Sequence, residues 1–250
     1  CQQPLSILVS DYEDLASYHK NFNLKKVVLK PLDSSGSRGF QAFQNIHEIS
    51  HKDFSYTKSF SKSKDIIIEE EISRSKNHIS ELSVEALFYQ DNFKIINIVD
   101  RVFAGDVKKL SDLQFLDSMN LGDGVEVGHI NPTFLPQVII SKIENIYKKI
   151  FANLVHHENL VTLKLDIMIN DQEEPIVIEM TPRTSGGWDS CYSNIVTGGN
   201  LLKNLLNYIM DIYSATETFS KTLSYDKIKK RLFVLGVPED NSSNCIGRKF

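Results

Sequence analysis

Val27-Val28-Leu29 is an apolar, β-branched run that reads as a buried strand, and it passes directly into Lys30-Pro31-Leu32-Asp33-Ser34-Ser35-Gly36-Ser37-Arg38-Gly39. A lysine at a strand end facing a Gly/Ser loop suits a polyphosphate. Gly36 and Gly39 let backbone approach an anion, Ser34, Ser35 and Ser37 offer hydroxyl and amide donors, and Arg38 adds a fixed cation. The glycine spacing matches neither the Walker A pattern nor the dinucleotide-binding fingerprint, so neither of those folds is implied. The alternative is a polar surface turn that follows a strand.

A second constellation lies far downstream. Leu163-Lys164-Leu165-Asp166-Ile167 precedes the turn-like Asn170 to Pro175, and Ile176-Val177-Ile178-Glu179-Met180-Thr181-Pro182-Arg183 follows it. Two β-rich runs around a polar turn predict a hairpin. With the turn centred near Gln172-Glu173, Asp166 lies across from Ile178 or Glu179, and the two-residue strand repeat puts Glu179 and Thr181 on one face. Two carboxylates and a hydroxyl on one patch suit a hard divalent ion, and magnesium is the usual choice beside phosphates. Arg183 could then reach a terminal phosphate. The alternative is an exposed acidic hairpin, which is what Asp171, Glu173 and Glu174 are expected to be.

Between the two sites run Asp65-Ile66-Ile67-Ile68-Glu69-Glu70-Glu71-Ile72 and Glu81-Leu82-Ser83-Val84-Glu85-Ala86-Leu87-Phe88-Tyr89. The order is phosphate loop, apolar strand ending in acids, strand opening on an acid, and hairpin ending in Glu-x-Thr-Pro-Arg. It resembles the ATP-grasp superfamily, most closely its carbamoyl-phosphate synthase and biotin carboxylase branch, from Val27 to Gly199. The resemblance implies an α+β fold in which two α/β lobes with mainly antiparallel sheets clasp the nucleotide. The expected division is 1–68 for the first lobe, 69–215 for the second with its metal hairpin, and 216–250 for a C-terminal extension.

The resemblance also implies roles. Lys30 would contact the α- or β-phosphate, while Ser34, Ser35, Gly36, Ser37, Arg38 and Gly39 would cover the β- and γ-phosphates. The backbone of Glu69, Glu70, Glu71 and Ile72 would meet the adenine edge, with Glu81 on the ribose hydroxyls. Asp166 and Glu179 would hold magnesium, manganese being the alternative ion, and Thr181 stands where the family more often has Asn. Arg183 would stabilise the transferring phosphate or an acyl-phosphate. The implied function is an ATP-dependent ligase that activates a carboxylate, or bicarbonate, for attack by an amine or similar nucleophile. Its partners are therefore a small-molecule carboxylate and an amine. The alternative is a catalytically incomplete ATP-binding module, or a split subunit of a larger synthase that acts with a partner chain; a homodimer also fits. The family further implies a preceding α/β domain with another nucleotide-contacting lysine, which would lie before Cys1.

Other residues leave the choice of role open. Arg101 leads from a strand towards an irregular stretch and serves a phosphate or acyl-phosphate as readily as a surface ion pair. His129 is expected to be structural rather than a substrate contact, and His156-His157 to be a helix-end charge rather than a metal pair. Trp188 and Cys191 follow Gly186-Gly187 where specificity would reside, with a buried aromatic equally consistent; Gly198-Gly199, before a helix, could expose amide donors at its N-terminus to an anionic substrate or be only a turn.

Composition excludes more than it assigns. A chain of 250 residues, 41% hydrophobic, can bury a sizeable core, and a net charge of -4 argues against a general nucleic-acid surface. No apolar run is long enough to cross a bilayer, so no membrane partner is expected. Cys1, Cys191 and Cys245 follow no metal pattern and fit reduced thiols in the cytoplasm; Cys1 would also suit a lipoprotein anchor, against which the nucleotide chemistry argues. Strands are expected at Leu5 to Val9, Val27 to Lys30, Glu81 to Phe88 and Asn92 to Val102. Helices are expected at Asp11 to Asn21, capped by Ser10 or Asp11, over much of Gln44 to Phe60, from Pro136 to His156, and from Asn200 to Tyr213. Phe103 to Gly128 reads as irregular.

Overall fold

The computed structural model describes residues 2–18, 21–22, 25–34, 38–89, 92–110, 126–153, 161–185, 201–221, 232–238 and 245–249. It forms two compact units, Gln3–Ser73 and Arg74–Phe250 with Cys1–Gln2.

The first unit is built on a four-stranded antiparallel sheet, β1 (Ser6–Val9), β2 (Val27–Pro31), β3 (Gln41–Phe43) and β4 (Ile66–Glu70), in the order β1-β4-β2-β3. Strand alternation sorts its side chains. Val27 and Leu29 on β2 and Ile66 and Ile68 on β4 turn to one face and are fully buried with Val9, Phe22, Ile46 and Phe54. Lys30 and Glu69 turn to the other face. The helix α2 (His51–Ser59) starts at a capping box, with the Asp53 N–H donating to Ser50 Oγ and the Ser50 N–H donating to Asp53 Oδ2. The helix expected over Asp11 to Asn21 is shorter: a 3-10 turn, Tyr12–Asp14, leads into α1 (Leu15–Tyr18), and residues 19 and 20 lie outside the described residues. Asp11 caps nothing, because its carboxylate faces Lys58 Nζ at 3.4 Å instead.

The second unit holds a seven-stranded antiparallel sheet: β5 (Glu81–Tyr89), β6 (Asn92–Phe103), β7 (Glu126–Asn131), β8 (Val161–Ile169), β9 (Pro175–Thr181), β10 (Leu232–Pro238) and β11 (Cys245–Lys249). Their order is β11-β10-β7-β6-β5-β8-β9. One face of the sheet is apolar. Leu82, Val84, Ala86 and Phe88 of β5, Ile98 of β6, Leu163, Leu165 and Ile167 of β8 and Val177 of β9 pack on Ile139, Ile143, Ile146 and Tyr147 of α3 (Gln137–Asn153). The helical spacing of those α3 residues is the expected one. Tyr147 is wholly buried, and its hydroxyl donates to the carbonyls of Val84 at 2.8 Å and Leu163 at 3.3 Å, tying the helix to both strands. Two further helices, α4 (Leu201–Ile209) and α5 (Ala215–Lys221), set Leu205 and Phe219 against Leu87 and Ile96 on the opposite face.

The elements β3, β7, α5, β10 and β11 have no counterpart in the sequence reading. β7, Glu-Val-Gly-His-Ile-Asn, has polar residues and a glycine where a strand pattern would show apolar ones; its pairing with β6, Arg101 opposite His129, supplies the stability that local propensity lacks.

Candidate functional site

In the first unit, β2 delivers Lys30 to its end, as the sequence implies. Lys30 Nζ is paired with Glu69 Oε2, so the carboxylate one strand over holds the ammonium in place. Glu70 pairs with Lys25 at 2.6 Å. The backbone expected to meet adenine is partly committed to the sheet: the Glu70 N–H donates to Leu5 O at 2.9 Å and the Glu71 N–H to Lys26 O at 2.8 Å. Ile72 is the first residue beyond that ladder.

Both ends of the loop after β2 are anchored. Asp33 accepts from Ser61 Oγ at 2.9 Å, the Lys62 N–H at 2.7 Å and the Ser63 N–H at 3.0 Å. At the other end the buried hydroxyl of Thr57 donates to Gly39 O at 2.7 Å, and Gln41 Nε2 donates to Thr57 Oγ1 at 2.8 Å. Ser34 and Arg38 flank Ser35, Gly36 and Ser37, which lie outside the described residues, as do His156-His157, Gly186-Gly187, Trp188, Cys191 and Gly198-Gly199.

Gly39 has a steric duty that the sequence reading missed. Its φ is +76°, and a Cβ there would lie 2.8 Å from a Phe60 ring carbon and 2.9 Å from Pro31 Cγ. Left-handed backbone and overlap both penalise a side chain, so Gly39→Ala is expected to cost about 2 kcal/mol by chemical denaturation. An unchanged denaturation midpoint would contradict this.

In the second unit, the face of the sheet turned away from α3 carries a group of polar side chains, with Val99 opposite Ser83 and Met168 opposite Glu81 as apolar neighbours. The registers place Glu81 opposite Arg101, Ser83 opposite Asp166, Glu85 opposite both Asn97 and Lys164, and Arg101 opposite His129. On the hairpin Asp166 stands opposite Glu179, and a bulge after it leaves Ile178 unpaired; Lys164 stands opposite Thr181. Asp166, Glu179 and Thr181 therefore share one face. Thr181 Oγ1 donates to Glu179 Oε1 at 2.9 Å, and Lys164 Nζ pairs with Asp166 Oδ2 at 2.7 Å. Asp166 Oδ1 is buried with no hydrogen-bond partner.

That orphaned oxygen, beside the exposed Glu179 carboxylate and a hydroxyl, is an all-oxygen donor set that fits a hard divalent ion. Among the described residues no group of three or more His, Cys, Asp or Glu is arranged to hold a metal, so the donors here are two carboxylates helped by Thr181. Arg183 lies just past the strand, exposed, with its N–H donating to Thr181 O at 2.8 Å. Glu173 and Glu174 are not the free surface acids expected. Glu173 accepts from Ser75 Oγ at 2.9 Å and Asn77 Nδ2 at 3.1 Å, and Glu174 pairs with Lys142 at 2.6 Å, so both fasten the turn.

Arg101 sits in an ion network. Its Nε and Nη2 donate to the two oxygens of Glu126 at 3.0 and 2.9 Å, and its Nη1 lies 3.6 Å from Glu81. Arg74 reaches Glu81 at 2.7 Å, and His129 Nε2 reaches Glu126 at 2.7 Å. Glu81 and Glu126 are thereby driven apart in acidity. Burial pushes the Glu81 carboxyl up, with Arg74 and Arg101 opposing. Burial works the same way on Glu126, but hydrogen bonds from His129 and Arg101 outweigh it and hold the group at about 2.

The two carboxyls load stability on opposite sides of the ordinary value of 4.5. The contribution of Glu126 is complete above that value and is lost as pH falls towards about 2, whereas that of Glu81 is complete below it and is lost as pH rises through its raised value. Glu126→Gln is expected to lower stability by about 2 kcal/mol near neutrality, because it strips a half-buried arginine of its bidentate partner. The gap from the unaltered chain should close between pH 4.5 and 2 in thermal unfolding; a gap independent of pH would contradict the assignment.

Sequence reasoning missed Glu126, Lys164 and the buried Glu85 and Asn97. The signal for one of them was present: Glu81, Ser83 and Glu85 recur at the two-residue repeat inside an otherwise apolar strand.

No protein-family model matches the chain, and comparison with curated protein sequences finds no match. Solved structures do match. Phosphoribosylglycinamide synthetase from Anaerococcus prevotii superposes with a TM-score of 0.58 at 17% identity, over 96% of this chain and 53% of that one. The L-amino acid ligase from Bacillus licheniformis gives 0.64 at 16% identity, over 96% and 50%. Biotin carboxylase of Campylobacter jejuni, in its β-γ-ATP complex, gives 0.64 at 15% identity, over 94% and 47%. The chain thus spans about half the length of the structures it matches. At such identities the likeness is one of architecture, and the α+β arrangement of two antiparallel sheets with their helices is the one these ligases share: the chain has the ATP-grasp fold.

Proposed function

We propose that the chain is an ATP-dependent ligase of ATP-grasp type, activating a carboxylate or bicarbonate as an acyl-phosphate for attack by an amine or similar nucleophile. The observation that carries the reading is Asp166 Oδ1, a buried and unpartnered acceptor opposite Glu179 on the polar face of a sheet with this fold. In this reading Lys30, Ser34, Arg38 and Gly39, with Ser35, Gly36 and Ser37, cradle the phosphates. Asp166, Glu179 and Thr181 hold magnesium, or manganese in its place, which when bound screens charge on the phosphate oxygens. The ATP complex of biotin carboxylase supports the choice of nucleotide.

The chemistry asks little covalent work of the protein. A substrate carboxylate oxygen attacks the γ-phosphorus and ADP leaves. The amine then attacks the acyl carbon, loses a proton, and releases phosphate. Lys30 and Arg183 are the fixed cations that meet negative charge as it shifts between oxygens, and Arg183, on an exposed turn, is the one placed for the group in transfer. Arg101 acts with it, its fork oriented by Glu126. Glu81, with both arginines on its carboxylate, is the ribose contact in this reading.

ADP release from ATP, assayed across candidate carboxylates and amines with magnesium, tests the proposal. Release that depends on both a carboxylate and an amine is expected. Tight nucleotide binding with no release under any pair would favour the incomplete module or split subunit. Thermal shifts should also favour ATP over GTP, because backbone groups at Ile72 face a donor and acceptor pattern that guanine reverses; equal shifts would remove the adenine contact from this segment.

A further inference from the structure

A line of buried polar side chains crosses the second unit. Asn131 on β7 donates through Nδ2 to Asn97 Oδ1 on β6 at 2.7 Å, and Asn97 Nδ2 donates to Glu85 Oε2 on β5 at 3.1 Å. Glu85 Oε1 accepts the backbone N–H of Ser185, one hundred residues away in sequence. Asn131, Asn97 and Glu85 are 4%, 0% and 2% exposed, and Ser185 is 9% exposed. An apolar residue would fill the place of Glu85 at less desolvation cost, so the carboxylate is not there for packing. What it delivers is a fixed point on the chain just after β9. Arg183 lies between two such points, the Thr181 carbonyl that takes its N–H and the Ser185 N–H that Glu85 takes.

We propose that Glu85, backed by Asn97 and Asn131, is a positioning residue that sets where the Arg183 guanidinium stands. The proposal rests on the ligase reading, in which Arg183 meets the phosphoryl group in transfer. Length rather than charge is the property required of Glu85. Glutamine keeps the length and an acceptor for Ser185, and the amides behind it can turn over to match. In Glu85→Gln the new side-chain amide would donate to Asn97 Oδ1, and Asn97 would donate to Asn131 Oδ1, which is buried without a partner in the present arrangement. Aspartate keeps the charge but falls one methylene short of Ser185.

Calorimetric titration of the full chain with magnesium ADP, and with magnesium ADP plus aluminium fluoride as a planar stand-in for the phosphoryl group in transfer, separates these. Glu85→Gln should bind both within about twofold of the unaltered chain, while Glu85→Asp should keep magnesium ADP within about twofold and lose about tenfold for the aluminium fluoride complex. Adding Glu85→Asp to Arg183→Ala should then cost nothing further, because both act through one group. If Glu85→Asp does not fold, Asn97→Ser, which slackens the support behind Glu85, should show the same split. Equal losses for the two ligands, a Glu85→Gln variant as poor as Glu85→Asp, or additive losses in the double variant would overturn the positioning role. An unaltered chain that binds no magnesium ADP would overturn the nucleotide reading itself, and the role of Glu85 with it.

Discussion

Arg183→Ala is expected to lower carboxylate-dependent ADP release by about a thousandfold while leaving magnesium ATP affinity within about threefold. The asymmetry follows from placement. Arg183 is an exposed residue past the end of β9, two positions beyond Thr181, so in the ligase reading it faces the group that moves rather than the body of the nucleotide. An interaction stronger in the transition state than in the ground state appears in turnover and not in binding. Lys30→Ala should behave the opposite way, weakening ATP and ADP alike, since in the same reading Lys30 meets phosphates that are present in both substrate and product. Single-turnover kinetics beside calorimetry read both quantities. An Arg183 variant whose loss lies in affinity alone would make the residue a binding contact.

The second large effect concerns the hairpin. Glu179→Gln should cost about a hundredfold or more in ATP affinity measured with magnesium and little when the ion is chelated, because a neutral amide keeps the shape and removes the charge that a hard cation requires. Asp166→Asn should do the same, with an added penalty in stability: Lys164, paired with Asp166 Oδ2 and only 12% exposed, would lose its counter-charge. Titrations with and without magnesium resolve the two components. A variant that loses affinity equally in both conditions would remove Glu179 from the ion.

Legibility in the sequence tracked how local the determining physics is. The strands that carry the candidate residues of each unit were readable because β-branched runs bounded by turn residues need no partner to be recognised: Val27 to Lys30, Ile66 to Glu70 and the hairpin through Asp166 and Glu179 all carry that signature. The register of the hairpin followed from its turn to within one residue: Asn170 closes onto Glu174, counting outward leads to Asp166 opposite Ile178, and a bulge between Asp166 and Ile167 moves the partner on to Glu179. What depends on partners distant in the chain was invisible. β7 is a strand only because β6 and β10 pair with it, and Glu126 finds Arg101 only through that pairing. Glu85 and Ser185 meet across one hundred residues. Gly39 illustrates a different gap: its type pointed to an anion, while the steric demand from Phe60 and Pro31 emerges only once these residues, distant in sequence, pack against it.

The central claim is that this chain binds ATP through a divalent ion held by the hairpin. Titrating the unaltered full chain with ATP, once with magnesium and once with the ion chelated, tests it most directly. The account predicts one site per chain, with affinity at least about tenfold higher when magnesium is present. No binding, or equal affinity in both titrations, would contradict it.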